Sequence, residues 1–148
     1  MKTMLGVLLI LTLGAPPAGA VLGEYESSVS LDQQYMRGEI RVTNAQGYKF
    51  HQITSPNGAV VREYVSPEGK VFGIAWKSPF IPNLQQLLGS YSTQVQQAAQ
   101  SQTRRRGGPF VVRTNDFVFV SGGHMQSFHG LAYVPSLLPQ NVSAEVVR

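Results

Sequence analysis

Cysteine is absent from all 148 residues, which excludes disulfide-stapled scaffolds, thiolate zinc centres, iron–sulfur clusters and lipid attachment at a cysteine. Charged residues are scarce at 14%, and the formal net charge is only +4. A hydrophobic fraction of 43% is still ordinary for a folded domain, so the composition excludes a disordered tail as well. Histidine occurs three times, at His51, His124 and His129. No G-x-S-x-G nucleophile elbow and no repeat at a solenoid period is present.

Long apolar runs are equally rare. The single one, Met4 to Leu13 (MLGVLLILTL), follows Lys2 and precedes Pro16-Pro17 and the small-residue stretch Ala18-Gly19-Ala20. A positive start, a short apolar core and an A-x-A-like ending describe a secretory signal peptide over residues 1–20, cleaved after Ala20. A membrane span needs about 20 apolar residues, twice the length of this run. The expectation is one exported domain over residues 21–148 with no transmembrane segment, periplasmic where the cell has two membranes.

What the exported part has in quantity is turn chemistry and aromatic residues. Ser55-Pro56-Asn57-Gly58 and Ser66-Pro67-Glu68-Gly69 each place Pro second and Gly last, and Asn44-Ala45-Gln46-Gly47 is a looser version. Proline presets φ at the first central position and glycine accepts the left-handed one, as a three-residue hairpin loop with a bulge requires. The spacing predicts strands over 38–43, 47–54, 59–65 and 70–76. With Ser55 flanking Ala59 and Ser66 flanking Lys70, Phe50, Tyr64 and Phe72 fall in one cross-strand row, and His51 lies beside Glu63 and Gly73.

Beyond the meander the period changes. Leu84, Leu87, Leu88, Tyr91, Val95, Ala98 and Ala99 lie on one face of a helix, with Asn83 as N-cap and Arg104-Arg105-Arg106-Gly107 at its end. Three further strands are expected over 110–114, 116–121 and 127–134, and a short helix over 27–37 ended by Gly38. The fold class is therefore α+β: a predominantly antiparallel sheet of about six or seven strands, as a meander, one long amphipathic helix packed on the sheet, and a second meander.

The blocks VREYVSPEGKVFGIAW (61–76), PNLQQLLGSY (82–91) and SGGHMQSFHGLAYVPSLLPQNVS (121–143), behind a signal peptide, resemble a family of small exported bacterial proteins known only as a domain of unknown function. The likeness covers nearly all of residues 21–148 and implies no activity, substrate or cofactor. Asn83 and Gln126 depart from the pattern, in which an acid and a base are common there.

Several features compete for a functional role. Ser121-Gly122-Gly123-His124 reads as a glycine turn between strands; the competing reading is an anion-binding loop with His124 as acid or base. His124 and His129 are five apart and point to opposite faces of an uninterrupted strand. Glu63 reads most simply as half of a cross-strand ion pair with His51 or Arg62. Arg104–Arg106 carries the positive excess and reads as a helix C-terminal cap, with a phosphate- or sulfate-bearing partner as the alternative. Nothing points to nucleic acid, a cofactor, a metal or a catalytic set. The expectation is a cell-envelope binding or interaction module, its partner another envelope protein or a small anionic ligand. The ligand-binding candidates are Arg62, Glu63, Trp76, Gly122, Gly123 and His124. The alternative is a small periplasmic enzyme or metal binder centred on His124 with Glu63 or His51, which requires those three side chains to converge.

Overall fold

The computed structural model describes residues 21–101 and 107–148. Residues 1–20, where a signal peptide is expected, and the arginine cluster 104–106 lie outside the described residues. Helix α1 (Val29–Met36) precedes a four-strand meander, β1 (Glu39–Ala45), β2 (Tyr48–Thr54), β3 (Val60–Val65) and β4 (Val71–Ser78). Two helices, α2 (Leu84–Leu88) and α3 (Ser92–Ser101), lead to a second meander of β5 (Phe110–Arg113), β6 (Val118–His124) and β7 (Ser127–Tyr133). All seven strands form one antiparallel sheet in the order β1-β2-β3-β4-β7-β6-β5. The α+β architecture is thus the one the turn chemistry and periodicity predict.

The two Ser-Pro-x-Gly loops close as expected. Ser55 N–H donates to the Ala59 carbonyl at 2.8 Å and Ser66 N–H to that of Lys70 at 2.8 Å, with Gly58 at φ 89° and Gly69 at φ 77°. The first loop sets His51 opposite Glu63 and Phe50 opposite Tyr64. The second register holds only at Val65–Val71; a bulge at Phe72 then slips the pairing, so Tyr64 faces Gly73 and Glu63 faces Ile74, not Gly73. The extra residue belongs to β4, and the aromatic cluster survives because rings reach diagonal neighbours. Ring centroids are 5.5 Å apart for Phe50–Tyr64 and 6.1 Å for Tyr64–Phe72.

The expected single long helix is broken. Asn83 caps α2, its Oδ1 accepting from Gln86 N–H at 3.2 Å, but Gly89 ends that helix at φ 53° and ψ −125°. A 3-10 turn over Gly89–Tyr91 then starts α3 in a new direction. Only glycine enters that backbone region without strain, and the bend seats Tyr91 against Phe117 with centroids 4.9 Å apart. At α1 the chain departs again from expectation. Arg37, at φ 50°, is the left-handed residue that ends the helix, while Gly38 packs so closely on Ile53 and Thr54 that a Cβ has no room.

Alternation along the strands divides the core into two layers. The helices cover one face, where Ile53, Val61, Val65, Ile74, Trp76, Phe119 and Ala132 are buried. The opposite face carries Tyr64, Phe72 and Ala75 beneath the C-terminal segment, which contributes Leu138, Val142 and Val147. Val147 lies directly on Gly73, whose missing side chain makes that approach possible.

A buried carboxyl pair beside a cavity

Helix α1 has an acid in its inward stripe. Val29, Asp32 and Met36 share one face by their spacing, and Asp32 is fully buried. The apolar pair whose spacing suggested the helix, Leu31 and Tyr35, points outward instead, at 41% and 59% exposure. Strand β3 repeats the anomaly. Val61, Glu63 and Val65 alternate onto the helix-facing side, and Glu63 is also fully buried. The two elements bring these carboxyls together.

Among the described residues no N–H donor reaches Asp32 Oδ2 or either oxygen of Glu63. Asp32 Oδ1 alone is met by an amide, Gln86 Nε2 on α2, at 2.5 Å. Two ionised carboxylates are both acceptors, so the pair forms a mutual hydrogen bond only when one holds a proton. Burial raises the Asp32 carboxyl to about 6, while hydrogen bonds from Gln86 and Glu63 partly offset that rise. Glu63 rises well above the usual carboxyl range, first through burial and then through the charge of Asp32. At neutral pH the consistent state is a singly protonated pair, one carboxyl donating to the other, with net charge −1.

Asp32 forms part of the wall of a cavity of about 340 Å³ between α1, the β2–β3 loop and α2. Met36, Val61, Phe80 and Leu87 supply apolar surface, Asn83 and Gln86 supply amides, and Arg37 stands on the same lining. No cation lies within ion-pair distance of Asp32 among the described residues. Tyr35 borders the cavity, and its hydroxyl accepts from Asn83 Nδ2 at 3.0 Å.

Glu63 therefore has a different partner from the one its strand position suggests. His51 is its cross-strand neighbour, but His51 Nε2 meets Glu26 Oε1 at 2.7 Å. Lys49 Nζ reaches the other Glu26 oxygen at 2.7 Å. Hydrogen bonding from Lys49, then from His51, holds the Glu26 carboxyl below its ordinary range against partial burial. Arg62 lies on the opposite face of β3, where Nε donates to Gln52 Oε1 at 3.0 Å and Nη1 to the terminal main-chain oxygen of Arg148 at 3.0 Å.

The remaining sequence candidates separate. Trp76 is 5% exposed, and its indole stacks over Gly130 on β7 with no space for a Cβ there. Gly122 and Gly123 are not a turn: β6 runs through them to His124, and the hairpin turns at Met125-Gln126, with Gln126 at φ 67°. His124 stands exposed at that hairpin tip, its Nδ1 near the Met125 carbonyl at 3.1 Å. His51, Glu63 and His124 thus do not converge. No group of three or more His, Asp or Glu suited to a metal ion occurs among the described residues.

Residues 18–147 match a family described as "Protein of unknown function (DUF2844)". The chain belongs to this DUF2844 family. No curated protein and no solved structure matches it. For this DUF2844 member, then, the carboxyl pair and its cavity are the basis for a functional reading. Asp32 carried no motif in the sequence, although an acid inside the Val29–Met36 stripe was a signal that could have found it.

Proposed function

We propose that the protein is an exported binding module whose cavity takes a small ammonium-bearing ligand. The supporting observation is the Asp32–Glu63 pair, whose Asp32 stands on the cavity wall with no cation within ion-pair distance among the described residues. An incoming ammonium group supplies both the missing charge and the missing donors. Phe80 and Tyr35 add aromatic surface for a cation, and Met36, Val61 and Leu87 accommodate an apolar body. Arg37 offers a counter-charge to a ligand that also carries a carboxylate, as an amino acid does. The volume falls in the range of small-ligand pockets.

Export is supported by the sequence pattern of residues 1–20, and the proposed compartment in a two-membrane cell is the periplasm. No helix among the described residues is long and apolar enough to cross a membrane. The mass of the N-terminal peptide from fractionated cells tests this part: a start at Val21 in the periplasmic fraction supports it, and retention of Met1 in the cytoplasm overturns it.

The ligand reading is tested by thermal unfolding at pH 7.5 with butylamine, cadaverine and a set of α-amino acids, against butanol and the matching carboxylates. A ligand at 100 times its dissociation constant stabilises by about 2.7 kcal/mol. The expected result is an upward shift with amines alone, lost in D32N. An equal shift with butanol, or one that persists in D32N, overturns it.

A further inference from the structure

The sheet face opposite the helices carries a second concavity with the opposite charge. The C-terminal segment covers Tyr64 and Phe72 but leaves the far ends of β3, β4 and β7 open, forming a groove of about 550 Å³. Its floor is apolar, made by Val60, Ala75, Val120 and Leu131. Among the described residues four basic side chains line it, Arg62, Lys77, His129 and Arg148, and no Asp or Glu does. Register explains the cluster. Lys77 pairs with both Val60 and His129 across adjacent strands, and Arg62 pairs with Ala75 one step along, so all project from the same face.

Among the described residues no Asp or Glu side chain pairs with these cations, and Arg62 alone meets a main-chain oxygen, that of Arg148, the last residue of the sequence. Among the described residues the only ion pairs are those of Glu26 with Lys49 and His51. Along the row of Lys77 the next acid is Glu39 on β1, opposite Thr54 and three strands away, about 14 Å at the usual strand spacing. Part of the cluster is preset. The Tyr64 hydroxyl donates to the terminal main-chain oxygen of Arg148 at 2.7 Å and accepts from the Arg148 N–H at 3.2 Å. The Arg62 guanidinium is anchored on that oxygen and on Gln52, 5.9 Å from the Phe50 ring centroid.

From this combination we infer that the groove binds an amphiphilic anion. Its apolar part lies on Val60, Ala75 and Leu131, and its oxyanion group is held by Arg62, Lys77 and Arg148. An apolar floor by itself takes any hydrophobe and a cationic rim by itself takes any small anion; the pairing of the two selects a molecule having both. The groove lies across the sheet from Asp32, so the inference stands independently of the amine reading.

The test is isothermal titration of the protein at pH 7.5 with octyl phosphate below its micellar concentration, with inorganic phosphate, octyltrimethylammonium and octanol as comparisons. Octyl phosphate is expected to bind at least tenfold more tightly than any of the three. K77Q, which removes an exposed amine with no hydrogen bond in the fold, should weaken it severalfold, and R62Q more; D32N should leave it unchanged. The unfolding midpoint of each variant shows that it folds, and L131Q gives a second route to loss through the floor. Equal binding of inorganic phosphate, equal binding of octyltrimethylammonium, no binding of octyl phosphate, or undiminished binding by folded K77Q and R62Q each overturns the inference.

Discussion

Replacing Asp32 with asparagine tests the electrostatics of the buried pair directly. Asparagine keeps the shape and an oxygen for Gln86 Nε2 but cannot ionise. The Asp32 carboxyl titrates at about 6 in the fold against an ordinary 3.8, a difference of about two units, and each unit corresponds to about 1.4 kcal/mol. Ionising Asp32 in the folded protein therefore costs about 3 kcal/mol relative to the unfolded chain. The sign follows from the direction of the shift. A raised carboxyl pKa means that the folded state holds the proton more tightly, so this contribution is absent below about pH 4 and destabilises progressively as pH climbs through 6. D32N escapes that loss. Relative to wild type it should gain up to about 3 kcal/mol between pH 4 and pH 7, which is roughly 10 °C in Tm for a domain of this length. Burial and then the Asp32 charge raise the Glu63 carboxyl as well, so removing the Asp32 charge acts on Glu63 in the same direction. Urea and thermal unfolding of both proteins at half-unit pH steps and constant ionic strength measure the difference. A difference that does not change with pH, or one in which wild type gains on D32N as pH rises, refutes the buried-pair argument.

Other consequences are open to the same instruments. Gly89→Ala should destabilise by about 1–3 kcal/mol, because alanine is strained at the positive φ of that break; a continuous helix would instead gain about 1 kcal/mol from the same change, so the sign alone decides. Asn83→Ala should cost about 1 kcal/mol by removing the cap of α2, read as a lower urea midpoint with unchanged slope. Gly130→Ala forces a methyl into the Trp76 indole and should cost about 1–3 kcal/mol, with a change in tryptophan emission; unchanged stability and emission would refute that contact. Glu26→Gln removes a carboxylate whose pKa the fold lowers, so its stabilising contribution, present above the ordinary carboxyl pKa, fades as the solution is acidified. Wild type should lose its advantage over E26Q toward low pH, measured by Tm at pH 7 and pH 3.5.

Much of the fold was legible because its signals are local. Pro and Gly at set positions define each Ser-Pro-x-Gly loop within four residues, and the first loop was enough to place His51 opposite Glu63. The Asn83 cap was readable for the same reason. The Phe72 bulge was not, since a strand absorbs an extra residue in response to its neighbours on both sides. Nor was the break at Gly89, where a helical stripe continues on paper while Tyr91 needs another direction to reach Phe117. The proposed site is half visible in the sequence: Glu63 stands out there, but with His51 or Arg62 as its expected partner. Arg62 is adjacent in sequence and for that reason on the other face. Asp32 passed unnoticed because Leu31 and Tyr35 carried the apolar spacing of α1, yet the helix turns them outward.

The amino-acid sequence by itself determined the turns, the alternation of the strands, the antiparallel meanders and the α+β class, all of which follow from interactions within a few residues. The tertiary structure alone decided which polar groups meet. Asp32 and Glu63 stand 31 positions apart in the chain and meet because α1 packs on β2, the strand beside β3; Arg62 and Arg148 stand 86 apart and share a groove because the C-terminal segment crosses the other face. Neither meeting leaves a local trace, since the energy of a buried charge depends on what covers it.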